Sequence, residues 1–158
     1  MTGTRWTNDV DAALRAAGWV PGRSVDVADA RVHWARRGIP ASRAAIEFCR
    51  EFAGLRIHHP PTINIAGTEH SDFTQFYPVD AVDGISDRAM AEFARLSAED
   101  LCPVGTNRSH MTLMIAPSTQ IFAGVDNYLF LVGTGTVEAL TTICTGSPLT
   151  RIGEWYPD

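Results

Sequence analysis

The clearest alternation of apolar and charged positions lies in residues 42–52. The apolar members recur every three or four residues, the spacing that lines one side of a helix: Ala45, Phe48, Cys49 and Phe52. The charged members fall on the opposite side: Arg43, Glu47, Arg50 and Glu51. Gly54 stands where a left-handed residue would end such a helix, and residues 55–57 then alternate like an entering strand. The pattern predicts a structural helix that runs into a strand, with one face in the core.

Three further helices are predicted from weaker patterns. Residues 6–18 place apolar side chains on one side of a short first helix. Ser86 is positioned to cap a helix over residues 86–96, and residues 136–144 form the last helix before a glycine. The apolar positions of the helix after Ser86 are Ala89, Met90, Phe93 and Leu96.

Extended runs dominate the second half of the chain. They cover residues 101–105, 111–116, 120–125 and 128–133, and earlier extended pieces are expected at residues 24–27, 62–66 and 73–77. The last four runs are joined by short links, with hairpin turns at residues 117–119 and 126–127, so neighbouring strands should pair antiparallel. The acidic stretch at residues 80–87 looks turn-like. The order of elements predicts an α+β fold in a single domain over residues 1–158, with helices packed on an antiparallel sheet. Its core is expected at about residues 6–146, followed by a short C-terminal tail.

Length and composition agree with one domain. A chain of 158 residues can bury roughly two-thirds of the surface that it exposes when unfolded. The net charge is −5 and no basic stripe is present, which argues against binding to nucleic acids or anionic membranes. The three cysteines are odd in number and far apart, which favours reduced thiols. Neither a signal peptide nor an apolar run of membrane length is evident, so we expect a soluble, cytoplasmic protein.

Candidate catalytic and metal-binding residues are sparse. His58 and His59 could form half of a metal site, but neighbours on a strand point to opposite faces, and His70 lies in a polar loop. Residues 133–136 could hold a phosphate at a helix start, yet a tight strand-to-helix turn explains them better because the lysine of a nucleotide loop is missing. No nucleophile stands in a recognisable elbow. We therefore expect no enzymatic activity, no bound metal and no cofactor.

Four short motifs occur together in an order that resembles a known family. They are AGWVPGR at residues 17–23, FCREFAGL at 48–55, LCPVG at 101–105, and LVG at 131–133 leading into EAL at 138–140. Together they resemble the SUKH superfamily, and most closely its third subgroup of immunity proteins, over about residues 6–146. Two features depart from the pattern. Ala53 stands where glycine is more frequent, and residues 117–119 replace an Asp-Gly type of turn.

This resemblance implies a small bacterial α+β protein encoded beside a polymorphic toxin. Such a protein binds the toxin domain in the producing cell and blocks it, as the immunity half of a toxin-antitoxin pair. Its partners include toxins that act on nucleic acids, and the superfamily is not known for a catalytic site. Two alternatives stay open: an intracellular scaffold or regulatory protein-binding module with the same fold and, less favoured, a small hydrolase.

A local excess of acidic residues is the candidate binding surface. Between residues 69 and 100 there are eight acids against Arg88 and Arg95, an excess of six (8 minus 2). The acids are Glu69, Asp72, Asp80, Asp83, Asp87, Glu92, Glu99 and Asp100. A basic, nuclease-like toxin domain would be attracted to such a surface, although a solvated face that only keeps the protein soluble would have the same composition. The turn at residues 117–119 is the alternative interface.

Overall fold

The computed structural model describes residues 5–60, 62–63, 66–67, 69–70, 72–107 and 109–157. The helices are α1 (Asn8–Ala16), α2 (Ala28–Arg36), α3 (Arg43–Phe52), α4 (Pro78–Asp83), α5 (Asp87–Ser97) and α6 (Thr136–Thr145). The strands are β1 (Arg56–His58), β2 (Thr62–Ile63), β3 (Glu69–His70), β4 (Phe73–Gln75), β5 (Cys102–Asn107), β6 (Thr112–Ile115), β7 (Ile121–Val125), β8 (Tyr128–Gly133) and β9 (Thr150–Glu154).

The central helix forms as predicted. Ser42 caps α3, and its hydroxyl accepts a hydrogen bond from the Ala45 amide at 3.1 Å. The four predicted apolar residues of α3 are all buried, and Gly54 adopts the left-handed conformation, with φ of 88°. Arg23 holds the helix end because its guanidinium donates to the carbonyls of Glu51 and Ala53. The first two sequence motifs therefore meet at the end of α3.

The main sheet has seven strands in the order β1-β4-β5-β6-β7-β8-β9, and all neighbouring strands are antiparallel. Strands β5 to β8 form the predicted meander, while β2 and β3 pair in a separate two-stranded sheet. The prediction of an α+β fold with an antiparallel sheet is confirmed.

Helices cover both faces of the sheet. One cluster of buried side chains joins α1, α2, α3 and α6 to strand residues that include Leu113, Ala123 and Val132. A second cluster joins α5 to Met114 and Phe122, whose positions alternate with those of the first cluster along β6 and β7. Among the described helices, none is long and apolar enough to cross a membrane.

Helix α2 was not predicted from the sequence. Residues 24–27 were expected to be extended and the following ones irregular, but α2 begins at Ala28. Val27 precedes it and supplies no side-chain cap, and only Ala30 and Trp34 of α2 are buried, so the apolar stripe is too narrow to recognise. Packing compensates for these weak signals. Trp34 is fully buried, and its indole nitrogen donates to the carbonyl of Pro103 at 3.0 Å.

Two other predictions of local structure also need correction. The acidic stretch at residues 80–87 is not a turn throughout, because Asp80 and Asp83 belong to α4 and Asp87 begins α5. The short C-terminal tail contains a strand that the sequence did not predict, since β9 pairs with β8. Strand β9 is exposed over most of its length and lacks the alternation that reveals a strand with one buried face. Of the strand expected at residues 62–66, only β2 is seen, and residues 64 and 65 lie outside the described part of the chain.

Candidate partner-binding surface

Helix α4 is the centre of the acidic surface and owes its shape to neighbouring segments. Pro78 begins α4, at a position where the missing amide hydrogen costs nothing. Ala81 and Val82 form the buried side of this helix. Six residues are too few for a helix that is stable alone. Tertiary contacts therefore determine this segment, which explains why its sequence pattern predicted a turn.

Arg37, which follows α2, ties the end of α4 to the start of α5. Its Nη1 donates to the carbonyls of Val82 and Ile85, and its Nη2 lies 2.5 Å from Oδ1 of Asp87. The last carbonyls of a helix receive no hydrogen bond within the helix. An external cation that donates to them satisfies them and also interacts favourably with the helix dipole. Arg37 thereby fixes the end of α4, which carries Asp80 and Asp83, and the position of Asp87 at the start of α5.

Asp80 and Asp83 are the acidic residues that α4 presents to solvent. Both are exposed, and they are three residues apart, so they are neighbours on the helix surface. Neither side chain makes a hydrogen bond or ion pair within the described part of the chain. Both carboxylates are therefore available to a partner.

Asp87 and Glu92 are exposed to different degrees and are already engaged. Asp87 is paired with Arg37, although 89% of its side chain remains accessible. Glu92 is 2.8 Å from Nη2 of Arg95, one turn further along α5, and 29% of its side chain is accessible. Two of the predicted site residues thus have their charge compensated within the protein.

Asp72 and Glu69 do not join α4. One carboxylate oxygen of Asp72 accepts from the amide of Phe73 at 2.7 Å, and the other accepts from the hydroxyl of Ser109 at 3.3 Å. Asp72 therefore stabilises the start of β4. Glu69 lies in β3, and its side chain is outside the described part of the structure.

Two cavities lie next to α4 and the start of α5. A cavity of about 410 Å³ is lined by Asp80, together with residues of β4, β5 and β6. A cleft of about 290 Å³ on the other side is lined by Asp87, Arg37 and apolar residues of α5. Asp80 and Asp87 therefore border two different depressions, and Asp83 lines neither of them.

The alternative interface, the turn at residues 117–119, is exposed and lies at the other end of β6 from the cavity beside Asp80. Thr119 has a left-handed backbone, with φ of 73°, where an Asp-Gly type of turn would place glycine. The turn follows the end of β6, whereas Thr112 at the start of β6 lines the cavity beside Asp80. The two candidate surfaces are thus at opposite ends of one strand.

A smaller pocket of about 230 Å³ lies beside a partly buried histidine. His59 lines it, and its Nε2 lies 2.6 Å from the hydroxyl of Thr74, which is itself buried. Burial lowers the pKa of His59, while the charge of Asp72 opposes this shift. The same pocket has an apolar wall that includes Leu113 and Val132. We assign the hydrogen bond a structural role, since it satisfies a buried hydroxyl.

The other features considered from the sequence are structural. Within the described residues, no group of three His, Cys, Asp or Glu side chains is arranged to hold a metal ion. Gly133 packs against the first turn of α6, and a Cβ at this position would lie 2.4 Å from the amide nitrogen of Ala139. The hydroxyl of Thr134 donates to Glu138 at 2.6 Å, so a carboxylate of the protein already lies at the helix start. Residues 133–136 therefore form a tight turn.

Sequence reasoning overlooked the polar residues that surround Asp80. Gln75, Thr106 and Thr112 lie on three neighbouring strands, and His110 precedes β6. Strand register brings these residues together, and no local pattern in the sequence carries that information.

Comparison with known proteins adds the family. The family model described as SUKH-3 immunity protein matches residues 6–146, which include α4, Asp80 and Asp83. No curated protein and no solved structure matches the chain. The match covers most of the 158 residues, so the chain belongs to the SUKH-3 immunity protein family.

Proposed function

We propose that this protein neutralises its cognate toxin by direct contact through the α4 surface, and that the toxin acts on nucleic acids. Membership of an immunity protein family supports toxin neutralisation. The observation that carries the choice of surface is the pair Asp80 and Asp83, two exposed carboxylates with no side-chain partner among the described residues, on a helix that Arg37 holds in place.

Charge gives the physical reason for this choice of partner. An enzyme that cleaves nucleic acids needs basic residues to hold phosphates, and an acidic surface can occupy the same residues. Complementary charge also speeds the encounter between two proteins, because the attraction acts before they touch. The protein's net charge of −5 acts in the same direction.

The test compares two double variants that change the net charge equally. In one, Asp80→Lys and Asp83→Lys reverse the charge of α4. In the matched control, Asp9→Lys and Asp29→Lys reverse two exposed acids in the first turns of α1 and α2, which also lack partners in the described structure. Association with the cognate toxin domain is measured at low and high salt, alongside protection of cells that express the toxin.

The α4 variant should slow association about tenfold at low salt, and the difference should shrink as salt screens the charges. The control should remain close to the unmodified protein. Asp87 is left unchanged because its loss would also break the pair with Arg37, so that two effects would be mixed in one variant. Equal effects of the two double variants, or an association rate that salt does not alter, would contradict the proposal.

A further inference from the structure

The cavity beside Asp80 lies on a polar row that crosses the sheet. Arg56 pairs with Gln75, Gln75 pairs with Thr106, and Thr106 pairs with Thr112, each on the adjacent strand. The row continues to Gly124 on β7. Side chains at paired positions share a face of the sheet, so these residues form one continuous strip.

Helix α5 covers the end of this row at Gly124, and it leaves the part at Thr106 and Thr112 open to the cavity. Phe93 of α5 packs over Gly124 so closely that a Cβ at this glycine would lie 2.4 Å from the ring. Thr106 and Thr112 instead line the open cavity of about 410 Å³, with Asp80 of α4 at its side. This volume is within the range of about 300 to 1,000 Å³ that is usual for binding clefts.

Some polar groups of this cavity are already paired, and two that are not, the Thr112 hydroxyl and the Asp80 carboxylate, can accept hydrogen bonds. Arg56 donates to the side-chain oxygen of Gln75 at 2.9 Å, and the Gln75 amide nitrogen lies 3.4 Å from the Thr106 hydroxyl. Thr112 is only 7% exposed, and its hydroxyl has no hydrogen-bond partner among the described residues. Asp80 adds two carboxylate oxygens that are equally free. A group rich in donors and positively charged would satisfy all of them.

We propose that this cavity receives an arginine side chain of the toxin, with the guanidinium paired to Asp80; the inference rests on the proposed function. Arginine offers five donors in a planar fork that a carboxylate can accept in parallel, whereas lysine offers a single point charge. Among the described residues, the cavity thus combines one carboxylate and one hydroxyl, those of Asp80 and Thr112, that have no partner.

The first experiment needs no toxin. Isotope-labelled protein is titrated with N-acetyl-argininamide and, separately, with N-acetyl-citrullinamide, which has nearly the same shape but no charge. The arginine compound should shift the amide signals of Thr106, Asn107 and Thr112, saturating in the millimolar range that is expected for one side chain. The citrulline compound should bind at least about tenfold more weakly, since it lacks the ion pair.

Two variants assign the effect to one carboxylate. Asp80→Asn keeps the size of the side chain and should abolish the shifts. Asp83→Asn removes the same charge from the same helix, but Asp83 does not line the cavity, so the shifts should persist. Equal binding of both compounds, shifts that map elsewhere, no shifts at all, or equal loss in the two variants would each overturn the inference.

A second experiment separates this inference from the proposed function. Dissociation from the toxin domain should be about tenfold faster with Asp80→Asn than with Asp83→Asn, because only the former removes a buried ion pair. If salt and the Lys double variants establish the acidic surface while both Asn variants behave alike, the cavity assignment is wrong and the function stands. If the toxin domain does not bind, the proposed function is wrong, and the titration with the arginine compound still decides the cavity assignment.

Discussion

Removing Arg37 should destabilise the protein more than removing its acidic partner. Arg37→Ala deletes the donor to the carbonyls of Val82 and Ile85 and also breaks the pair with Asp87. The Arg37 side chain is 23% accessible, so its two carbonyl bonds are largely shielded from water. A bond to a charged donor contributes about 1.5–3 kcal/mol, and with allowance for partial exposure we expect a loss of about 2–4 kcal/mol in total.

Asp87→Asn tests the ion pair alone. Because 89% of the Asp87 side chain is accessible, water screens the pair, and its loss should cost no more than about 1 kcal/mol. Arg37→Lys restores the charge but not the planar fork, and should recover only part of the loss. The order of the three variants in their free energy of unfolding therefore shows whether carbonyl capping or charge pairing holds α4 in place.

Urea unfolding followed by tryptophan fluorescence measures these differences, and Trp34 in α2 is a suitable reporter because it is buried beside Pro103. Hydrogen exchange adds a local measurement, since amides of α4 should lose protection in Arg37→Ala at a smaller free energy than global unfolding requires. Equal losses of stability in Asp87→Asn and Arg37→Ala, or a loss of less than about 1 kcal/mol in Arg37→Ala, would refute carbonyl capping by Arg37.

Two further predictions concern the core. Phe52 is fully buried, with its ring centroid 4.9 Å from that of Phe48, so Phe52→Ala should lower the free energy of unfolding by about 3–5 kcal/mol. The control Val32→Ala, at a position 45% exposed, should change it by less than about 0.5 kcal/mol. Similar unfolding midpoints of the two variants in urea would contradict the assignment of Phe52 to the buried face of α3. The unfolding temperature should not respond to chelator or reductant, because all three cysteines are free and buried, and burial raises the pKa of Cys49 to about 12 and of Cys144 to about 11. A large drop in the unfolding temperature with either reagent would reveal a metal or a disulfide.

Predictability from the sequence depended on whether local signals agreed with the final packing. For α3, the cap at Ser42, the apolar stripe and Gly54 all indicate the same helix, and the structure contains it. The meander of β5 to β8 was predictable because its links are too short for any other pairing. In contrast, α2 and α4 have weak or misleading local signals, and both are stabilised by contacts distant in sequence, such as those of Trp34 and Arg37.

The acidic surface shows the same limit at the level of charge. A count along residues 69–100 gives an excess of six negative charges, but it cannot reveal that Arg37, 50 residues away from Asp87, compensates one of them. Nor can it show that Glu92 is paired with Arg95. A partner responds to the charges that remain free and to the groups beside them. In this fold they include Asp80 and Asp83, and strand register places hydroxyl acceptors next to Asp80 alone of these two. Specificity for one toxin would therefore depend on Asp80 and the polar row beside it, while Asp83 would contribute mainly to the speed of encounter.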